Sequence, residues 1–310
     1  MLSSSDSVAA SQGRGIFGVI VTFNPDLARF DEGAARVSAQ VERLVVVDNG
    51  SHAASAIRAR VEALGAVFIG LPENRGIAAA QNEGIRLAQR EGAEAVLLMD
   101  QDTLLPADAV GHLSAAMRDL RDAGVRLGSV GCAYRDTHDG RIGASWRARG
   151  WRIVRQRPTS PASKQTEVDF VIASGSLLPL DTLRAVGLMD EPLFIDLVDL
   201  EWGFRAAAKG YRHFQTDACV MDHTLGAGRI QVGSRSISLH APVRNYYWIR
   251  NALILARRGY VQSAWRLYFV SRVVPYIAIY TLRGNRRLTR LKLMLRGALD
   301  GLRGRGGACP

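Results

Sequence analysis

Short apolar runs, each ending abruptly at polar or acidic residues, recur along the first third of the chain. Residues 16–23, 44–47, 66–69 and 96–99 are rich in Val, Ile and Leu. They are too short for core helices, so the pattern predicts buried strands. Longer stretches with helical spacing lie between them, over 27–40, 53–64 and 77–90, the last rich in Ala and Gly. A helix over 107–122 and a strand over 128–133 continue the series. Strand and helix in alternation predict an α/β fold, a Rossmann-like, mostly parallel sheet flanked by helices.

The alternation breaks at residues 135–167, which read as a long irregular excursion containing Trp146 and Trp151. A strand over 168–179 follows, interrupted by Ser174, Gly175 and Ser176, and then a short helix ending at Gly187. Residues 194–209 predict another helix, 213–220 a strand, and 224–233 a glycine-containing loop. From Arg244 onward aromatics alternate with regularly spaced arginines, and residues 286–305 predict a basic helix with leucines at 288, 291, 295, 299 and 302. The expected organisation is a flexible leader over 1–14, an α/β domain over 15–243 and a basic aromatic helical extension over 244–310.

Charge sharpens this division. The net +11 comes entirely from the extension, where fourteen Lys/Arg face the single acid Asp300, so residues 1–243 are slightly acidic. That balance argues against a nucleic-acid partner, because the larger part of the chain would repel a phosphate backbone. Arginines interleaved with Trp, Tyr and Leu instead resemble a helix lying on an anionic membrane surface. No stretch reaches the roughly 18 uninterrupted apolar residues of a spanning helix. Residues 1–12 lack the features of a signal peptide. Cys132, Cys219 and Cys309 show no pairing or metal-type spacing, which predicts a reduced setting. The expected location is cytoplasmic, peripheral on the membrane, with a homo-oligomer possible.

Candidate chemistry sits at the strand ends, where ligands of open α/β sheets bind. Asp48 follows the run 44–47, and Asp100 and Asp102 follow 96–99. On extended backbone i and i+2 point the same way, so Asp100 and Asp102 can face one hard cation such as Mg²⁺ or Mn²⁺. Small residues at 174–176 would let a ligand approach the backbone closely. Glycines at 13, 15 and 18 match a dinucleotide fingerprint by spacing, but they precede a strand instead of following one, so that reading fails.

Seven stretches together resemble a family 2 inverting glycosyltransferase of the GT-A type, in the branch that uses dTDP-rhamnose. They are residues 21–25 (VTFNP), 47–51 (VDNGS), 73–77 (ENRGI), 99–102 (MDQD), 174–176 (SGS), 194–202 (FIDLVDLEW) and 222–223 (DH). The resemblance implies a nucleotide-sugar half over about 15–133 and an acceptor half over about 134–243. It implies that Thr22, Phe23 and Asp48 line the nucleotide-base pocket and that Arg75 approaches the base or diphosphate. Asp100 would sit near the ribose and a metal, with Asp102 and His223 as further metal ligands. Asp199 would be the catalytic base, and Ser174, Gly175, Glu201 and Trp202 would face the acceptor. Many relatives carry two adjacent acids where this chain has Val198 and Asp199, so the base rests on Asp199 alone. The implied partners are dTDP-rhamnose and a lipid-linked or polysaccharide acceptor. The alternative is another nucleotide sugar, UDP-galactofuranose or a UDP-hexose.

Overall fold

A computed structural model describes residues 15–136, 140, 142–156, 165–223, 228–232 and 235–310. Its first half follows the alternating pattern. Strands β1 (Ile16–Thr22), β2 (Arg43–Asp48), β3 (Val67–Gly70) and β4 (Ala95–Asp100) pair in parallel in the order β3-β2-β1-β4. Helices α1 (Leu27–Ser38), α2 (Ala54–Ala63) and α3 (Ile77–Arg90) connect them.

Both faces of β1, β2 and β4 are covered, which is why they read as unbroken apolar runs, whereas β3 at the sheet edge is only half-buried. Phe17, Val19 and Val21 pack on one side with α3, whereas Ile16 and Ile20 pack on the other with Phe30 and Val37 of α1. Small residues set how closely α3 lies on the sheet. A β-carbon at Gly84 would come within 2.5 Å of Val19, inside any real contact distance.

After α4 (Ala109–Asp122) the topology departs from uniform parallel pairing. β5 (Leu127–Asp136) is followed by a hairpin of β6 (Ser145–Arg149) and β7 (Arg152–Gln156), then β8 (Gln165–Val168) and β9 (Ser176–Pro179). β9 inserts antiparallel between β4 and β5. Helices α5 (Leu180–Val186) and α6 (Val198–Ala208) lead to β10 (Arg212–His223), which pairs in parallel with β5 and antiparallel with β8. The eight-stranded order is β3-β2-β1-β4-β9-β5-β10-β8. Part of the expected excursion over 135–167 is therefore ordered hairpin, and the expected loop over 224–233 contains β11 (Gly228–Val232), which pairs with β12 (Arg235–Leu239). The expected helix over 194–209 begins only at Val198.

One cysteine expectation is overturned. Cys132 on β5 and Cys219 on β10 form a disulfide, with Cα atoms 5.1 Å apart. The register between these strands slips between Thr216 and Val220, and the extra residues bring Cys219 beside Cys132. Cys309 is free. The lack of a recognisable spacing therefore says nothing for a reduced setting.

Three helices follow: α7 (Pro242–Ala256), α8 (Ser263–Arg283) and α9 (Arg287–Arg303). Ala252 and Leu255 of α7 and Trp265 and Phe269 of α8 join the same apolar core as β1 and α3. α9 packs on α7 through glycines: a β-carbon on Gly297 or Gly301 would meet the carbonyl oxygen of Tyr246 at 2.5 Å or of Arg250 at 2.7 Å. α9 thus buries its small residues and Arg290, while Leu288, Leu295, Leu299 and Leu302 point to the outside.

Candidate active site

The carboxyl ends of β1 and β4 open onto a cleft of about 410 Å³ whose lining includes Asp100, Gln101, Asp102, Ser174, Asp199 and Arg244. Seven chain segments meet there, so each position needs its own support.

At the end of β2, Asp48 is fully buried. One carboxylate oxygen accepts from the Thr22 hydroxyl (2.9 Å) and the other from the Ser51 N–H (3.0 Å). Asp48 therefore ties the ends of β1 and β2 together. The turn after it presses on residues 73–76: Gly50 has φ +81°, and a β-carbon there would lie 2.7 Å from the Glu73 carbonyl carbon. Asn49 accepts from the Arg75 N–H and donates to Asn74. The Arg75 guanidinium is nearly half exposed, 3.8 Å from Glu83 and 3.9 Å from Glu191. Phe23 is exposed at the end of β1, where its N–H donates to Gln101 Oε1 (2.7 Å). Gln101 thus links the tips of β1 and β4.

Asp100 and Asp102 line the same cleft, as their spacing predicts. The Asp100 N–H donates to the Ser174 hydroxyl (3.1 Å), which in turn donates to Thr103 (2.9 Å). Gly175 has φ +76°, and its N–H and C=O bond to Leu98 and Cys132. A side chain there would collide with Met221. Ser174 and Gly175 thus fix the tip of β4 while only Ser174 lines the cleft.

Asp102 and Asp100 supply hard oxygen donors on one wall, a set that fits Mg²⁺ or Mn²⁺ completed by a substrate diphosphate. The His223 backbone ends β10, and a bridge between Leu104 and Asp222 brings that end beside the Asp102 segment. The His223 side chain lies outside the described residues. Among the described residues, no group of three or more His, Cys, Asp and Glu is gathered as a metal site.

Opposite these acids, Asp199 opens α6. Its carboxylate accepts from the Ala173 N–H (3.2 Å) and from the Leu200 N–H (3.0 Å). Burial pushes its carboxyl up to about 6; the two N–H donors oppose the rise, and nearby Asp100 adds to it. A carboxyl poised there is ionised near neutrality yet basic enough to take a proton.

The segment leading to Asp199 is strained. Phe194, Asp196 and Leu197 have φ of +65°, +69° and +62°, a region that costs a residue with a β-carbon roughly 1–3 kcal/mol. α7 holds it in place. Asn251 donates to the carbonyls of Leu193, Ile195 and Asp196 at 2.8–3.0 Å, and Arg250 donates to those of Pro192 and Leu193. Asp196 forms an ion pair with Arg244 inside the cleft.

Two acceptor-side expectations do not match the structure. Glu201 is fully buried and accepts from Arg205 (2.8 Å) and Tyr260 (2.5 Å), with Arg258 at 3.0 Å. Trp202 is a core residue whose indole N–H donates to the Gly187 carbonyl (2.9 Å). On a helix, two residues turn a side chain about 200°, so Glu201 points away from the cleft that Asp199 faces. Conversely, Arg244 and Asn251 belong to the site but read in sequence only as members of the basic extension.

Comparisons with known proteins bear on the fold and the family. The dTDP-rhamnosyl transferase RfbF of Shigella flexneri is 28% identical over 290 residues, which cover 93% of this chain and 96% of that protein. Among solved structures, GalNAc-T7 with UDP, GalNAc and Mn²⁺ superposes with a TM-score of 0.59 at 12% identity; 93% of this chain is covered and 56% of that longer one. TarS residues 1–349 of S. aureus, in complex with UDP-GlcNAc, gives 0.57 at 14% identity, covering 93% of this chain and 81% of that one. These likenesses identify the fold as GT-A. The model of glycosyl transferase family 2 matches residues 19–183, more than half of the sequence, and the chain belongs to that family of enzymes.

Proposed function

We propose that this glycosyltransferase moves rhamnose from dTDP-rhamnose, with inversion, onto a lipid-linked or surface-polysaccharide acceptor. The observation that carries this reading is the near full-length similarity to a dTDP-rhamnosyl transferase, which spans both halves of the cleft.

The chemistry follows from the cleft's two acidic walls. Asp199, poised near 6, accepts the proton of the acceptor hydroxyl as its oxygen attacks the anomeric carbon from the face opposite the leaving group. The bond from that carbon to the diphosphate oxygen breaks, and its electron pair leaves with the nucleoside diphosphate. Asp100 and Asp102, with His223, would hold a divalent cation that neutralises charge on this leaving group. Mn²⁺ in the GalNAc-T7 structure supports a divalent ion in this fold. Phe23 and the Asp48 turn would offer the surface against which the base lies, with the half-exposed Arg75 reaching toward it.

The acceptor is read as membrane-linked because of the surface of α8 and α9. Leu267, Val270, Val274 and Leu282 on α8 are exposed, as are the four leucines of α9, with arginines beside them. No helix among the described residues is long and apolar enough to cross a membrane, which leaves these stripes to lie on its surface.

The deciding experiment is a donor screen with Mg²⁺ or Mn²⁺ and a panel of nucleotide sugars, reading nucleotide release. dTDP-rhamnose should turn over fastest. Preference for UDP-galactofuranose or a UDP-hexose would overturn the donor assignment.

A further inference from the structure

A second cavity, of about 520 Å³, lies beside the cleft, between the β6–β7 hairpin and α8. Leu197 lines both spaces, so they adjoin at the strained segment two residues before Asp199. Its volume falls in the range of ligand sites. Its lining is unusual for this chain: Trp146, Trp151, Trp248 and Trp265 are four of the five tryptophans in the sequence. Trp151 is 75% exposed at the hairpin turn, on the rim of this cavity.

The walls are fixed in advance of any ligand. The Asp169 carboxylate, nearly buried, accepts from the Ala148 N–H of the hairpin and from the Trp265 indole N–H of α8, both at 2.6 Å. One carboxylate thus pins both sides. Phe170 packs edge-on against Trp265.

The lining also restricts what can fit. The polar groups on the lining are Ser271, Arg272, the Tyr268 hydroxyl and the indole N–H groups of the tryptophans, on walls that are otherwise aromatic and aliphatic. The Ser271 hydroxyl is already donated to the Tyr268 carbonyl. That leaves an apolar, aromatic chamber with one cation on its rim, and the exposed Val270 and Val274 extend it outward along α8. Hydrocarbon matches the chamber and an anionic group matches Arg272.

We propose that this chamber seats the hydrocarbon chain of the acceptor lipid, with Arg272 meeting the phosphate that joins lipid to sugar. The inference rests on the lipid-linked reading of the acceptor. It adds a place where a single lipid molecule is held clear of the bilayer, with its sugar end directed past Leu197 toward Asp199.

The test uses intrinsic fluorescence, because four of the five tryptophans report on the chamber. The probe is a bromine-labelled dodecyl phosphate, kept below its micelle concentration and titrated into the whole protein. Saturable quenching is expected. Leu267→Asp, a change at an exposed lining position, should weaken it at least tenfold without moving the thermal midpoint. Arg272→Gln should weaken binding of the phosphate but not of the brominated alcohol. Quenching that never saturates, that is unchanged in Leu267→Asp, or that appears only when the probe is embedded in vesicles would overturn the proposal. Equal loss of phosphate and alcohol binding in Arg272→Gln would remove Arg272 from it. Saturable binding in an enzyme that rejects dTDP-rhamnose would leave this site standing while the donor reading failed. Transfer from dTDP-rhamnose without chain binding would do the reverse.

Discussion

Arg244 grips both carboxylate oxygens of Asp196, with Nε 2.7 Å from Oδ2 and Nη2 2.5 Å from Oδ1. A residue in the first turn of α7 therefore restrains the strained segment that delivers Asp199. Such bidentate pairs fix geometry as well as adding energy. Asn251 completes the restraint from the next turns of the same helix.

Replacing Asn251 with Ala removes the amide N–H donors shared among the buried Leu193 carbonyl and the part-buried carbonyls of Ile195 and Asp196. Stability should fall by about 1–3 kcal/mol. Because the segment is strained, turnover should fall further than stability suggests, roughly tenfold to a hundredfold. Thermal unfolding and single-turnover rates on folded protein check this. Loss of stability with full turnover would show that α7 supports the fold but not the base.

Asp199→Asn should cut turnover by roughly 10²–10⁴-fold and leave donor binding near the wild-type level. It should also stabilise the metal-free protein. A carboxyl raised from 3.8 to about 6 costs the folded state up to about 3 kcal/mol once ionised, and the neutral amide escapes that cost. The sign is specific: below pH 4 the wild-type group is protonated folded or unfolded and the two proteins should match. The advantage of Asn should grow between about pH 4 and 6 and then level. Denaturant titrations across that window would reveal it, and a constant difference at all pH values would point to another cause.

The pH profile of turnover should fall on the acid side with an apparent midpoint near 6 and unit slope, since the base must be ionised to accept a proton. A midpoint near 4 would place the base elsewhere.

Chelation with EDTA should abolish transfer, and Mg²⁺ or Mn²⁺ should restore it. Asp102→Asn should weaken cation-dependent nucleotide binding, measured by calorimetry, while the fold stays intact. Full turnover without a divalent ion would remove the cation from the mechanism.

Flotation with liposomes tests the helical surface. The protein should float with vesicles containing anionic lipid, at about 1 kcal/mol per Lys or Arg near the surface, and detach at high salt. Replacing Leu288, Leu295 and Leu302 with Ser should reduce binding without unfolding α9, because these side chains are exposed. Equal binding to neutral vesicles would refute electrostatic attachment.

The parallel strands of the first hundred residues were legible because their information is local. An apolar run followed by an acid places that acid at a strand end, and Asp48, Asp100 and Asp102 all lie there. Glu201 was misjudged because adjacency along a helix is not adjacency in space, and its charge is needed by Arg205 and Arg258 in the core. Asp196, Arg244 and Asn251 left no readable mark: their partners lie some fifty residues away, and an arginine among thirteen other bases looks like surface charge. The Cys132–Cys219 pair was hidden for a similar reason, since a slip in strand register, not a spacing, brings the two together. The leucines of α9 kept a helical period, yet period alone does not tell which face turns inward.

Near the other end of the chain, the Gly307 N–H donates to the Pro192 carbonyl (2.7 Å), and Gly306 leaves no room for a β-carbon against the same proline. Arg250 closes this contact from the side, donating to the Gly307 and Pro192 carbonyls. The consequence concerns timing during synthesis. Strands β1 to β4 pair with one another within the first hundred residues and can settle while the ribosome is still at work. The turn that precedes the base waits for residues translated more than a hundred positions later. The parallel strands could thus be in place before the segment that carries Asp199, whose contact at Pro192 is complete only after residue 307 has emerged.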